Sequence, residues 1–184
     1  MTDRKKEVIA ICLDQFVEKG LANTSTRTLS SAMQLQNAGL YYYFSNKDEA
    51  VIQCAEEAAL RLERALISPV PEELWNPELM MENLLNRANT MAPTMQFLVS
   101  VCVSEQYKEG MQPVLDRLVE RYDLYTKKIA ATLDCPQAQI KPYVYMAISA
   151  IVNYMTFKEE SLVLPQLELV TAEIRKLLTA LAAR

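Results

Sequence analysis

Ser25-Thr26-Arg27-Thr28-Leu29-Ser30-Ser31-Ala32-Met33-Gln34-Leu35-Gln36-Asn37-Ala38-Gly39-Leu40-Tyr41-Tyr42-Tyr43-Phe44-Ser45-Asn46-Lys47-Asp48-Glu49 reads as two short helices joined by a tight turn and followed at once by the start of a longer one. Ser25 is placed as an N-cap, whose hydroxyl accepts from a free amide of the first turn. Leu29, Ala32 and Met33 then give the first helix one apolar face. Gln34-Leu35-Gln36 is the turn, and 37–44 is expected to be the second helix. Asn46 with Glu49 three residues on has the form of a capping box, opening a long helix to about Leu66. Helices this short are not stable alone, so another element must brace them.

The brace lies just upstream. Val8, Ile9, Cys12, Leu13, Phe16 and Val17 fall on one face of a helix over 3–20. Gly20 closes it, because glycine tolerates the left-handed backbone of a helix end. Downstream, Ser68-Pro69-Val70-Pro71 is the clearest break, since both prolines deny a helix interior. Five further helices are expected over 77–90, 93–107, 112–133, 136–158 and 165–183, with Pro93, Pro136 and Pro165 at first-turn positions and Gly110 in a connector. The expectation is an all-α chain of about nine helices, with a head over 1–46 and a larger body over 47–184.

Composition agrees with that reading. Three glycines in 184 residues are too few for the turns of a sheet protein. The absence of histidine removes Ser-His-Asp and Cys-His catalysis and every histidine metal site. Cys12, Cys54, Cys102 and Cys135 lie far apart in the chain, so no short metal-binding cysteine motif occurs and reduced thiols are expected. The longest apolar stretch, 143–157, contains Ser149, Asn153 and Thr156 and falls short of the ~20 residues a bilayer span needs. With no secretory signal read, a cytoplasmic protein with no cofactor, no metal and no membrane partner is expected. The net charge is −4, yet six cations against four anions leave +2 on residues 1–47. That is the asymmetry a head facing phosphate needs.

Two short helices set this way form a helix-turn-helix, whose second helix lies in the major groove with its first residues at the base edges. Gln36 and Asn37 carry amides suited to adenine, while Ala38 and Gly39 are small and admit the duplex closely. Tyr41, Tyr42 and Tyr43 point about 100° apart on a helix, so they cannot all be core. Leu40, Tyr43 and Phe44 are expected inside, and Tyr41 or Tyr42 at the phosphates. Lys47 adds a cation at a helix N-terminus, which itself attracts anions.

The run from Leu35 to Glu49, with Phe16-Val17-Glu18-Lys19-Gly20 and Thr24-Ser25-Thr26-Arg27 upstream, resembles the signature of the tetracycline-repressor family of transcription regulators. The likeness covers the first 50 residues or so. It implies that Ser25, Arg27 and Lys47 touch phosphate, that Gln36, Asn37 and Ala38 face the bases, and that Tyr41 and Tyr42 contact backbone or base of a double-stranded operator. Two departures stand out. The turn position that commonly holds glycine is Gln34, which points to left-handed backbone there. Gly39 stands where threonine or serine is common.

For the body, Ile140, Val144, Ala147, Ile148, Ile151, Val152 and Met155, and in the last helix Leu167, Val170, Ile174, Leu177, Leu178 and Leu181, form apolar stripes. They serve either the core of the chain or a homodimer built as a four-helix bundle. Met80, Leu84, Met91, Met95, Phe97, Cys102, Tyr107, Tyr122 and Tyr125 are candidates to line a pocket for a small, mainly apolar effector, or else they fill irregular core gaps. The function expected is a non-enzymatic, ligand-responsive repressor that binds a palindromic operator as a dimer. The alternative is a dimeric helical protein that binds ligands or partners without sequence-specific DNA binding.

Overall fold

The computed structural model describes residues 2–36, 39–67 and 77–182, with backbone alone at 67, 77–81, 178 and 182. All the regular structure in them is helical. In order come α1 (Asp3–Lys19), α2 (Thr26–Ala32), a 3-10 turn (Gly39–Tyr42), α3 (Lys47–Ile67), α4 (Pro77–Cys102), α5 (Lys108–Thr132), α6 (Gln137–Phe157) and α7 (Glu160–Ala182). The Ser68–Pro71 break lies outside the described residues.

Seven α-helices among the described residues replace the nine expected: one is lost by a merger across Pro93, the other at the recognition turn. Pro93 sits within α4, so 77–90 and 93–107 form a single helix down to Cys102. An interior proline removes one ladder hydrogen bond and costs about 3 kcal/mol. Its ring faces solvent here while Ala92, Thr94 and Met95 around it are buried, and that packing carries the helix through. Pro165 likewise lies inside α7, which starts earlier at Glu160, and Pro136 is the N-cap of α6. Gly110 is no connector: it lies inside α5, where a Cβ would run into the Ile52 side chain of α3. The second helix of the pair is, in its described part, the 3-10 turn.

The chain forms two compact units, one ending at Val114 and the other beginning at Leu115. In the first, α1 packs on α2, α3 and α4, and α3 packs on α4. Ala55, Ala58 and Ala59 of α3 and Ala88 and Ala92 of α4 are buried, small residues that let two helices approach closely. Phe16 stacks on Phe97 with ring centroids 5.5 Å apart, fixing α4 against α1.

In the second unit, α6 and α7 form a helical hairpin around Lys158, which takes a left-handed conformation at φ 61°. Ala130, Ile140 and Val144 make its centre, with Tyr122, Tyr125 and Ile174 against them. Asp123 ties α5 to α6: its carboxylate accepts from Lys141 at 2.7 Å, from Lys127 at 3.0 Å and from Gln137 at 3.1 Å. The bonds from Lys141, above all, and Lys127 hold the Asp123 carboxyl down at about 2.

This packing decides where the expected stripes go. Ile140, Val144, Ile151 and Met155 of α6 and Leu167 and Val170 of α7 are buried in the chain's own core. Ala147, Ile148, Val152, Ile174, Leu177 and Leu181 are half-buried, and the Leu178 side chain lies outside the described residues.

Candidate nucleic-acid interface

The head is assembled by caps. Gly20 ends α1 at φ 80°, and its amide donates to the Phe16 carbonyl at 3.0 Å. The buried Thr24 hydroxyl sits 2.8 Å from the Gly20 carbonyl, turning the chain toward α2. Ser25 caps α2 as expected, its Oγ accepting from the Thr28 amide at 3.1 Å. Gln34 has φ 59°, the left-handed backbone read from the sequence.

After that turn the chain is pinned from inside. Ser30 is buried; its carbonyl accepts from the Leu35 amide at 2.9 Å and its Oγ from the Leu40 amide at 3.3 Å. Leu40 and Phe44 are buried, as expected, and Tyr43 is half-buried. Lys5 Nζ stands 5.3 Å above the Phe44 ring. Sequence reasoning missed Ser30, Thr24 and Lys5, whose partners lie across turns or on another helix.

The outer side of the turn is open. Tyr41 is 57% exposed and Tyr42 87% exposed. Ser25, Arg27 and Gln36 are exposed as well, and Arg27 makes no ion pair or hydrogen bond among the described residues. Asn37 and Ala38 lie outside the described residues. Gly39 is placed differently from the reading that its size serves the duplex. It is buried, and a Cβ would collide with the Leu35 side chain, so internal packing itself demands glycine.

Lys47 is half-buried and donates from Nζ to the Leu21 carbonyl at 3.3 Å, tying the start of α3 to the turn after α1. An ammonium has further protons to give beyond that bond. The capping box is real with one shift of register: Asn46 Oδ1 accepts from the Glu49 amide at 2.8 Å, and the Glu49 carboxylate accepts from the Ser45 amide at 2.6 Å. That Ser45 bond, above all else, holds the Glu49 carboxyl below its ordinary value. Elsewhere in the head Arg4 pairs with Glu7 at 2.7 Å, Lys6 with Asp3 at 3.0 Å and Lys5 with Glu49 at 3.9 Å. The Glu7 bond in particular raises the Arg4 guanidinium further. Such surface pairs are weak and exchange readily for other anions.

The candidate effector residues divide between the units. Met95, Phe97 and Tyr107 are buried in the first, with Leu84, Met91 and Cys102 half-buried and the Met80 side chain outside the described residues. Met91 lines an open cleft of about 400 Å³ with Ala65, Asn83, Asn86, Arg87 and Thr90. Tyr122 and Tyr125 pack in the second unit around Ala130. Burial raises the Cys102 thiol and the Tyr107 and Tyr125 phenols. Among the described residues no helix is long and apolar enough to cross a membrane.

Residues 12–54 match the family model for bacterial regulatory proteins of the tetR family. The matched stretch runs from the middle of α1 into α3 and contains both halves of the helix-turn-helix. No curated protein matches the chain.

Proposed function

From the premise that this chain carries the DNA-binding head of a tetR-family bacterial regulator, we propose that it is a ligand-responsive repressor acting as a homodimer on a palindromic operator. The observation that carries the reading is the exposure of Arg27 on α2 and of Gln36, Tyr41 and Tyr42 on the turn after it, which is held from behind by Ser30, Leu40 and Phe44. A rigid backing with exposed hydrogen-bonding side chains is what phosphate and base-edge contacts require. In this reading Arg27, Ser25, Tyr41, Tyr42 and Lys47 lie along phosphates, and Gln36, Asn37 and Ala38 lie at the bases. Residues 1–46 then read DNA and 47–184 hold the dimer and effector.

A dimer surface is available on the second unit. Pro142, Tyr145, Met146, Ser149, Asn153 and Phe157 form the exposed face of α6, and none of them is charged. Leu162 and Leu169 are exposed one helical stretch away on α7. A solvent face of this composition supports pairing of two copies through α6 and α7, with two recognition turns set one DNA turn apart.

The effector, a small and mainly apolar molecule, acts through α3 in this account. The recognition turn ends at Tyr42, just ahead of the helix start at Lys47, and Gln106 donates to Asp48 at 2.9 Å in the first turn of that helix. A ligand that favours another setting of α3 shifts the heads out of register with the operator. Equal operator affinity with and without a bound effector overturns that step.

The rival reading, ligand or partner binding without sequence-specific DNA recognition, draws support from the net charge of −4 and from the ion pairs that occupy Arg4, Lys5 and Lys6. Selection from random duplexes at moderate salt decides. A palindrome enriched by the wild type supports the repressor, and no enrichment favours the rival.

A further inference from the structure

Three sulfur-bearing side chains from distant parts of the sequence are packed inside the head. Cys12 of α1, Met33 at the end of α2 and Cys54 of α3 are all buried. Cys12 Sγ lies 3.9 Å from Met33 Sδ, and Cys54 reaches the same turn of α1 from α3. Cys54 Sγ also sits 3.6 Å from the Ile9 carbonyl oxygen. No short cysteine motif marks a metal site along the chain; the packing of α1, α2 and α3 supplies the proximity.

We propose that Cys12, Cys54 and Met33 form a site for one thiophilic monovalent d10 cation, copper(I). Thiolate and thioether ligands select soft cations of this kind over the harder divalent ions. The Cys12–Met33 separation suits two ligands of a three-coordinate site. Metal–thiolate bonds of about 2.3 Å set in a trigonal plane place their sulfurs about 4 Å apart, and the Cys12–Met33 separation is 3.9 Å. Zinc requires a fourth nitrogen, sulfur or carboxylate ligand. The chain has no histidine, and among the described residues no three His, Cys, Asp or Glu side chains cluster as a metal site.

Binding exchanges the two thiol protons for one cation. The metal enters and remains monovalent, both sulfurs stay unoxidised, and the site gains a single negative charge. Arg61 stands two turns beyond Cys54 on the same helix. The guanidinium is fixed there by Asp14 at 2.6 Å and by the Ala10 carbonyl at 3.4 Å. The ion would join the helix that braces the recognition turn to the helix that carries it.

The test is an anaerobic titration of the full chain with copper(I) against a chromophoric copper(I) chelator. One copper(I) per chain is expected. Cys12→Ser and Cys54→Ser should each weaken binding about 100-fold, and Met33→Leu, which keeps the core volume, about 10-fold. A Cys102→Ser/Cys135→Ser double variant should bind as the wild type does. X-ray absorption of the loaded protein should show three sulfur neighbours. Failure of the wild type to compete with the chelator overturns the proposal. So does binding that survives in both single serine variants, or that disappears in the Cys102/Cys135 pair. Met33→Leu with unchanged affinity and helix content overturns the three-sulfur site.

Discussion

At Gln34 the backbone holds φ 59° on a side chain that gains nothing from it. A β-carbon in the left-handed region costs about 1 kcal/mol relative to glycine. Gln34→Gly should therefore raise the unfolding free energy by about 1 kcal/mol in a denaturant titration. Gly39 is the mirror case. Its side is closed by Leu35, with Cδ1 of that residue 2.9 Å from where a Cβ would stand. Gly39→Ala should lower stability by about 1–3 kcal/mol, the usual range for overpacking. A Gln34→Gly variant no more stable than wild type, or a harmless Gly39→Ala, contradicts this description of the turn. The two residues also show what was legible in the chain. The left-handed turn at Gln34 was readable because it stands where the family signature commonly holds glycine. The reason for Gly39 was not, because Leu35 meets it only after the chain has reversed.

Among the elements, the junction of the recognition turn with α3 carries the head's orientation. Asn46 caps the helix and Glu49 reaches back to the Ser45 amide at 2.6 Å. The carboxyl of Glu49 is held below its ordinary value, first by that amide. A lowered folded-state value means the contribution to stability is present above the ordinary carboxylate range of about 4.3 and is lost as pH falls through the folded value. Glu49→Gln should accordingly flatten the acid limb of a stability–pH curve, with the largest difference from wild type near neutrality. Identical curves would mean the bond does not hold in solution. The elements themselves were legible where caps and apolar periodicity coincide, as at α1, α2 and α3. They were misread where proline served as the guide. Pro93 and Pro165 lie inside helices because buried neighbours along the same helix outweigh one missing hydrogen bond. The site was legible to the level of the turn and its exposed tyrosines. Ser30 and the tie from Lys47 to Leu21 were not, since they join residues brought together only by packing.

For the whole molecule, the uncharged outer face of α6 sets the expected assembly. Phe157 is 72% exposed there, at the end of the helix. Phe157→Glu should leave the monomer's helix content unchanged and shift the sedimentation of a dimer toward that of a monomer. A wild type that sediments as a monomer, or a variant that remains a dimer, removes α6 from the interface. The apolar stripes marked this region correctly as helical and packed, but periodicity cannot distinguish a face turned to the chain's own core from one turned to a second copy. The central claim is that the exposed residues of the recognition turn read DNA. It is tested most directly by titrating a selected operator with wild type, Tyr42→Ala and Arg27→Ala over a range of salt concentrations. The account predicts that Tyr42→Ala weakens operator binding at least about 10-fold while leaving stability within about 0.5 kcal/mol. It also predicts that Arg27→Ala reduces the slope of log affinity against log salt by about 1 for each phosphate the guanidinium neutralises. Operator affinity unchanged in both variants, with wild-type salt dependence, would contradict it.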